Sequence, residues 1–260
     1  MKRNLTCLIL ITGILFLAGC ATRQTGSRLD VESLHSAIVT DDVRYVRSAI
    51  ASGAASPNQR IPAPVYIEGA PLLAIAARAA SLEVMRYLVT AGANLNAPTP
   101  AGETPLMLAA YFFNEERDQG GRSYSQHEKA VRLLVEAGAD MENAPHHYTA
   151  LAYAAYQGHD HIVRYLIERG ARPNADAVNG RTYINTPLMM AAIQGHRSTS
   201  LRLLQAGADA RIRVHGGHTA TEFAAKYRHT HLINFLRCAE TLSQDESFQH
   251  KCGAEHVVAR

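Results

Sequence analysis

The sequence predicts an all-α fold: a solenoid of about six helix-turn-helix units. Three observations carry that expectation. The stretch from Thr149 to Asn174, TALAYAAYQGHDHIVRYLIERGARPN, reads as two short helices with their own start and stop signals. Matching stretches recur along the chain. Two helices this short cannot bury their apolar faces alone, so the copies must stack on one another.

Within the Thr149 unit each signal has a physical cause. The Thr149 hydroxyl can cap a helix N-terminus. Leu151, Ala154 and Ala155 give that helix an apolar side, and Gly158 tolerates the left-handed exit that ends it. Ile162, Val163, Leu166 and Ile167 recur at helical spacing, and Gly170 stops the second helix. The same pattern begins at Glu32, Pro71, Thr104, Thr149, Thr186 and Thr219, with steps of 39, 33, 45, 37 and 33 residues. The distance from start to closing glycine is 21 residues in the Glu32, Pro71, Thr149 and Thr186 units and 34 in the Thr104 unit.

A basic period of 33 residues, together with TPLMLAA from Thr104, TALAYAA from Thr149 and TPLMMAA from Thr186, resembles the ankyrin repeat. The unit endings GANLN, GADME, GARPN and GADAR add to the resemblance, which covers residues 30–240. The first copy (ESLHSAI) and the last (TATEFAA) are degraded, as suits terminal units whose outer faces meet water.

Residues 1–19 read as a lipoprotein signal peptide. Lys2 and Arg3 supply a positive start, and Leu5 to Ala18 is an apolar run too short to span a bilayer comfortably. The run ends in Leu17-Ala18-Gly19-Cys20, which resembles the lipobox of bacterial lipoproteins. The resemblance implies that Cys20 is acylated and becomes the mature N-terminus, and Ala21 after it favours the outer membrane. The expected address is the cell envelope, with the chain facing the periplasm. Residues 20–29 are polar and read as a tether, residues 30–240 as the repeat domain and residues 241–260 as a C-terminal tail.

Charge and cysteine usage agree with that address. Losing Lys2 and Arg3 takes two charges from a net +3 and leaves +1, which gives no reason to expect nucleic acid. Of four cysteines, Cys7 leaves with the signal and Cys20 is taken by lipid. Cys238 and Cys252 remain as a candidate disulfide in an oxidising compartment, closing a loop at the last helix. Two free thiols in the tail are the alternative.

Three departures from the period stand out. SPNQRIPAPVYIEGA adds 6 residues between the first two units, and its prolines predict an enlarged, stiff turn. DAVNGRTYIN adds 4 between the fourth and fifth around Asn179-Gly180, a turn signal. A 13-residue insertion lies inside the third unit, around residues 113–125. Insertions in repeat arrays map to one face and often serve binding, which adds Tyr124 to the candidate contacts. A tolerated surface loop is the alternative.

Chemistry has little to stand on. No Gly-rich phosphate loop, CxxC or HExxH is present, and His127-Glu128 lacks a second histidine four residues on. The paired histidines (His146-His147, His159/His161, His215/His218, His229/His231) form no tetrahedral set with clear spacing. His159 and His196 stand where the ankyrin resemblance expects histidine. No catalytic residue, cofactor or metal site is assigned, and a non-enzymatic protein is expected.

Binding is the better expectation. The ankyrin resemblance implies that the residues after the paired alanines of each first helix line a concave face, with the turns that precede each unit. The helix positions are Arg78, then Tyr111 and Phe112, Tyr156 and Gln157, Ile193 and Gln194, and finally Lys226 and Tyr227. The turns add Glu103, then His146 and Tyr148, Tyr183 and Asn185, and His215 and His218. Tyrosines recur along this line, and protein interfaces favour tyrosine.

The expected partner is a protein of the periplasm, bound by a chain that is monomeric when free and held to the membrane by its lipid. Lipid-anchored ankyrin proteins of this size resemble immunity proteins that neutralise toxins, injected phospholipases among them. Two alternatives stay open: a scaffold or protector of a resident envelope enzyme, and a structural or histidine-based metal-carrying lipoprotein. The anchor is testable by metabolic lipid labelling. The wild type should label and Cys20→Ala should not; equal labelling of the two removes the anchor.

Overall fold

The computed structural model describes residues 30–112, 124–144, 148–175, 185–214, 217–242 and 252. Among them are twelve helices in six consecutive pairs: α1 (Val31–Thr40) and α2 (Val43–Ala51), α3 (Leu72–Arg78) and α4 (Leu82–Thr90), α5 (Pro105–Ala110) and α6 (Tyr124–Glu136). α7 (Ala150–Gln157) and α8 (Asp160–Glu168) follow, then α9 (Pro187–Gln194) and α10 (Arg197–Gln205), then α11 (Ala220–Lys226) and α12 (Thr230–Thr241). The first helices stack in sequence order, each on the next, and so do the second helices. One continuous core results, running from Leu34 in α1 to Leu236 in α12. The expected helical solenoid is the fold.

The caps are those the sequence spells out. Thr104, Thr149, Thr186 and Thr219 each accept a hydrogen bond at the side chain from the backbone N–H three residues on, at 3.3 Å. Each satisfies one of the orphan donors of a helix start. The first unit differs by two residues from the alignment on Glu32: Asp30 is its cap and accepts from the Glu32 N–H.

In five of the six units the exit from the first helix takes a left-handed residue among the described residues. Gly158 (φ 72°) and Gly195 (φ 81°) fill it in the fourth and fifth units. A Cβ at Gly158 would stand 2.6 Å from the His196 ring, and one at Gly195 2.6 Å from the His229 ring. Glycine is therefore required twice over there, by the backbone and by the ring of the following unit. Asp41, Ala80 and Arg228 hold the equivalent left-handed positions at φ 66°, 48° and 66° in the first, second and last units.

Each of those rings has a partner. His159 Nε2 lies 2.9 Å from the carbonyl oxygen of Phe112, His196 Nε2 3.0 Å from that of Tyr156, and His229 Nε2 2.9 Å from that of Ile193. These carbonyls sit at first-helix ends, where no intrahelical N–H reaches them. The histidines that open α8, α10 and α12 thus close the end of the preceding unit's first helix. Asparagines couple the outer turns in the same manner: Asn174 donates to the Gly207 carbonyl at 3.0 Å and accepts from the Asp209 N–H at 3.0 Å.

The proline-containing link between the first two units is not an irregular turn. It is an antiparallel ribbon of β1 (Arg60–Ala63) and β2 (Tyr66–Pro71), with Ile61 opposite Ala70 and Ala63 opposite Tyr66. Ile61, Tyr66 and Ala70 turn inward and are buried, which fastens the ribbon to the core. Cys238 of α12 and Cys252 form a disulfide, with Cα atoms 5.9 Å apart and Cys252 buried. The signal peptide, the tether, Cys20, the body of the 113–125 insertion, the Asn179-Gly180 turn and most of the 241–260 tail lie outside the described residues.

Burial lowers the His159 imidazole from an ordinary 6.5 to about 4, against the smaller opposing effect of the Phe112 carbonyl. His127 and His196 nearby reinforce the fall, and Asp160 opposes it. The native state therefore favours neutral His159, and the stability this gives is complete above pH 6.5 and lost as pH falls from 6.5 through 4. The loss is on the order of 3 kcal/mol. Denaturant midpoints across that range should fall steeply for the wild type and less so for His159→Gln, which keeps an N–H donor without the titration; equal slopes refute this. Replacing both Cys238 and Cys252 with serine should remove about 3 kcal/mol of stability. An unchanged midpoint would show that the crosslink constrains little.

Candidate protein-binding face

Because the first helices stack in register, their C-terminal ends fall along one line of the molecule. Arg78 ends α3, Tyr111 follows α5, and Gln157, Gln194 and Lys226 end α7, α9 and α11. Arg78, Tyr111, Tyr156 and Gln157 are half-buried, whereas Gln194, Lys226 and Tyr227 are exposed, with Lys226 Nζ 5.8 Å from the Tyr227 ring centre. Ile193 packs partly against the core. In the turns Glu103, Tyr148, Asn185 and His218 are all half-buried. His146, Tyr183 and His215 lie outside the described residues, as does the side chain of Tyr124 at the start of α6.

Phe112 departs from the expectation. It is 7% exposed and belongs to the core. α5 ends at Ala110, so it is two residues shorter than α7 or α9, and the chain leaves the helix at Tyr111. Phe112 then turns into the junction with the fourth unit. Its ring stacks between His127 (centroids 4.2 Å apart) and His159 (3.9 Å), with interplanar angles of 12° and 9°. Burying the ring in that sandwich is worth more than presenting it to water.

Two tyrosines outside the sequence line support the face: half-buried Tyr153 on it, and buried Tyr66 behind it. Tyr153, on the turn of α7 before Tyr156, meets Tyr111 edge-on at 4.9 Å and Tyr148 edge-on at 6.2 Å. Tyr111 is also 6.4 Å from Tyr156. Tyr66 of β2 donates its hydroxyl hydrogen bond to the Glu103 carboxylate, to which the Thr99 hydroxyl also donates at 3.3 Å. Burial, with Glu103 beside it, pushes the Tyr66 phenol far above its usual range, and Arg78 opposes the rise. Burial likewise raises Tyr153 and Tyr111, with Glu103 adding to both. These phenols are neutral donors at any physiological pH. The residues form a fixed aromatic patch across the second, third and fourth units, centred on one carboxylate.

Beside the patch the ribbon presents Val65, 54% exposed, and Ile67, 85% exposed. β2 borders an open cleft of about 440 Å³ whose other wall is Arg78, Pro100, Ala101 and Glu103. The β-branched and aromatic residues Val65, Tyr66 and Ile67 were the available signal for a strand here.

Among the described residues no group of three His, Cys, Asp or Glu side chains could hold a metal ion. The arrangement offers hydrogen-bond donors, rings and one carboxylate on a rigid frame, which suits recognition. The Gln157 Nε2 group is buried with no hydrogen-bond partner among the described residues.

Comparison with known proteins agrees. Models of ankyrin repeats match residues 68–100, 123–177 and 151–205. The E3 ubiquitin-protein ligase KEG of Arabidopsis thaliana is 32% identical over 133 residues, 50% of this chain and 7% of that protein. The palmitoyltransferase Hip14 of Drosophila melanogaster is 45% identical over 85 residues, 32% of this chain and 13% of its own length. A mitochondrial disaggregase of Bos taurus is 30% identical over 182 residues, 69% of this chain and 24% of that protein. The chain spans less than a third of the length of each relative, so the named activities of those proteins do not carry over with the similarity. Among the described residues no helix is long and apolar enough to cross a membrane.

Proposed function

Because the chain carries ankyrin repeats, whose role is protein–protein binding, we propose that it is a non-enzymatic, lipid-anchored binder of one periplasmic protein, which it inhibits. The observation that carries the reading is the aromatic patch of Tyr111, Tyr148, Tyr153 and Tyr156 beside Glu103, which buried Tyr66 holds by a hydrogen bond. Tyrosine buries much area with few torsions to order, and these rings already hold one another in place. A face that needs little ordering binds tightly, as neutralising a toxin requires.

The envelope address rests on Lys2, Arg3, the apolar run and Leu17-Ala18-Gly19-Cys20, with the Cys238–Cys252 disulfide in keeping with an oxidising compartment. Inhibition of a toxin, such as an injected phospholipase, rests on the resemblance to lipid-anchored ankyrin immunity proteins. The relatives above are eukaryotic and support protein binding alone.

Purification from detergent-solubilised envelopes should bring down one stoichiometric partner, whose activity falls when the chain is added back. Tyr156→Ala and Tyr111→Ala should each weaken that complex by more than ~1 kcal/mol, roughly a factor of five to ten. Normal binding by both variants would place the interface elsewhere.

A further inference from the structure

We propose that the last unit docks an acidic segment of the protein partner, held by Lys226 and Arg228 at the end of the recognition line. The proposal rests on the protein-binding reading and names the chemistry that one end of the face recognises.

Charge is unevenly spread along the array. Residues 30–103 carry five Lys and Arg against seven Asp and Glu, a net −2, whereas residues 185–242 carry seven against three, a net +4. Pairing sharpens the difference. Asp209 is taken by Arg211 at 2.9 Å and Glu222 by Arg213 at 3.1 Å, and Glu240 lies near the far end of α12. Lys226 and Arg228 are exposed and enter no ion pair among the described residues. Lys226 ends α11, and Tyr227 and Arg228 follow it, so three consecutive exposed residues close the line that runs through Tyr111, Tyr156 and Gln194. Two helix steps separate α7 from α11, which sets the cations roughly 20 Å beyond Tyr156, within the breadth of one protein interface. That continuity makes the partner of the tyrosine patch the occupant.

Arg228 is held there at a conformational cost. It takes the left-handed exit at φ 66°, the position of Gly158 and Gly195 in the fourth and fifth units. In those units the histidine ring of the next unit excludes any side chain. No helix follows α12 among the described residues, so at Arg228 a side chain fits. Glycine would still relieve the backbone, yet the position carries an exposed guanidinium. In the first unit the matching Asp41 is used by the fold, since its carboxylate accepts from the Glu83 and Val84 N–H groups at 3.3 and 2.9 Å. The Arg228 side chain makes no such bond among the described residues. Tyr227 between the two cations is 47% exposed and lies 5.8 Å from Lys226 Nζ, so an apolar residue beside the partner's carboxylates has a ring to meet. Cations at this end and Glu103 toward the other favour one orientation of the partner and speed its encounter.

The test introduces the photo-crosslinker p-benzoylphenylalanine at Tyr227 and, separately, at Tyr156 of the full chain in the cells that make it, and sequences the crosslinked segments. Both positions should capture one protein, at Tyr227 through a segment rich in aspartate and glutamate. The Tyr227 yield should fall at least about fivefold in Lys226→Gln combined with Arg228→Gly, a pair that removes both charges and keeps the left-handed exit. Should that pair fail to fold, Lys226→Gln alone is read in its place, with at least about a threefold loss expected. Arg237→Gln removes a charge about two turns along α12, away from the line, and should change the yield less than about twofold. In the purified wild-type complex, raising sodium chloride from about 50 to about 500 mM should slow association at least about fivefold. Crosslinks at Tyr156 with none at Tyr227 overturn the docking end and leave protein binding standing. No crosslink at either position overturns both. A lipid adduct alone or a basic or uncharged segment at Tyr227, an unchanged yield in the charge-removing variants, equal loss in Arg237→Gln, or salt-independent association also overturns the proposal.

Discussion

The hydrogen bond between a histidine ring and the last exposed carbonyl of the preceding unit is the interaction on which the array depends. A helix of six to eight residues has more unpaired terminal groups than internal bonds, so its ends decide whether it survives burial. Threonine closes the start, and His159, His196 and His229 close the far end from the next unit along. No unit is complete without its successor. The same bond fixes the approach of neighbours so closely that Gly158 and Gly195 cannot carry a side chain, as the 2.6 Å separation from the rings shows. Burial at these junctions favours the neutral form of His159 and His196, against the opposing effect of the carbonyl each ring is bonded to. Four of the thirteen histidines that invite a metal reading, His159, His196, His229 and His231, are thus committed to joining units.

That bond also explains why the binding face is rigid. The carbonyls it engages belong to Phe112, Tyr156 and Ile193, the residues of the recognition line itself or their immediate neighbours. Tyr156 and Ile193 are therefore tied at their backbones to the following unit. The Tyr111, Tyr153 and Tyr156 rings gain fixed positions from backbone bonding beneath them as well as from contact with each other.

Local signals in the sequence located nearly every helix, because caps, glycine exits and apolar spacing act within a few residues. Thr104, Thr149, Thr186 and Thr219 are the plainest cases. The face was legible only in outline. Its line of positions follows from the repeat, but whether a ring on it meets solvent depends on how long the helix before it runs. α5 stops two residues short, and Phe112 goes inward. Tyr66 was out of reach because it comes to Glu103 across 37 residues from a segment whose prolines argue against helix and say nothing for a strand. Tyr153 reads as an ordinary helix-face residue until the third unit is placed against it.

The irregular second unit follows from the same physics. Its first helix opens at Pro71 with no side-chain cap, and its exit places Ala80 at φ 48° with no glycine to relieve it. A non-glycine residue in that region costs roughly 1–2 kcal/mol. By the rules that stabilise the fourth and fifth units, this one is poorly ended on both sides. The ribbon supplies what is missing: the Leu72 N–H donates to the Gln59 carbonyl at 3.3 Å, and buried Ile61, Tyr66 and Ala70 add core that the short helix lacks. The six extra residues between the first two units are therefore structural in origin. Yet the same ribbon leaves Val65, in its turn, and Ile67, where its register shifts, exposed at the edge of the aromatic patch. The device that completes the weakest unit is the same one that gives the face its exposed strand.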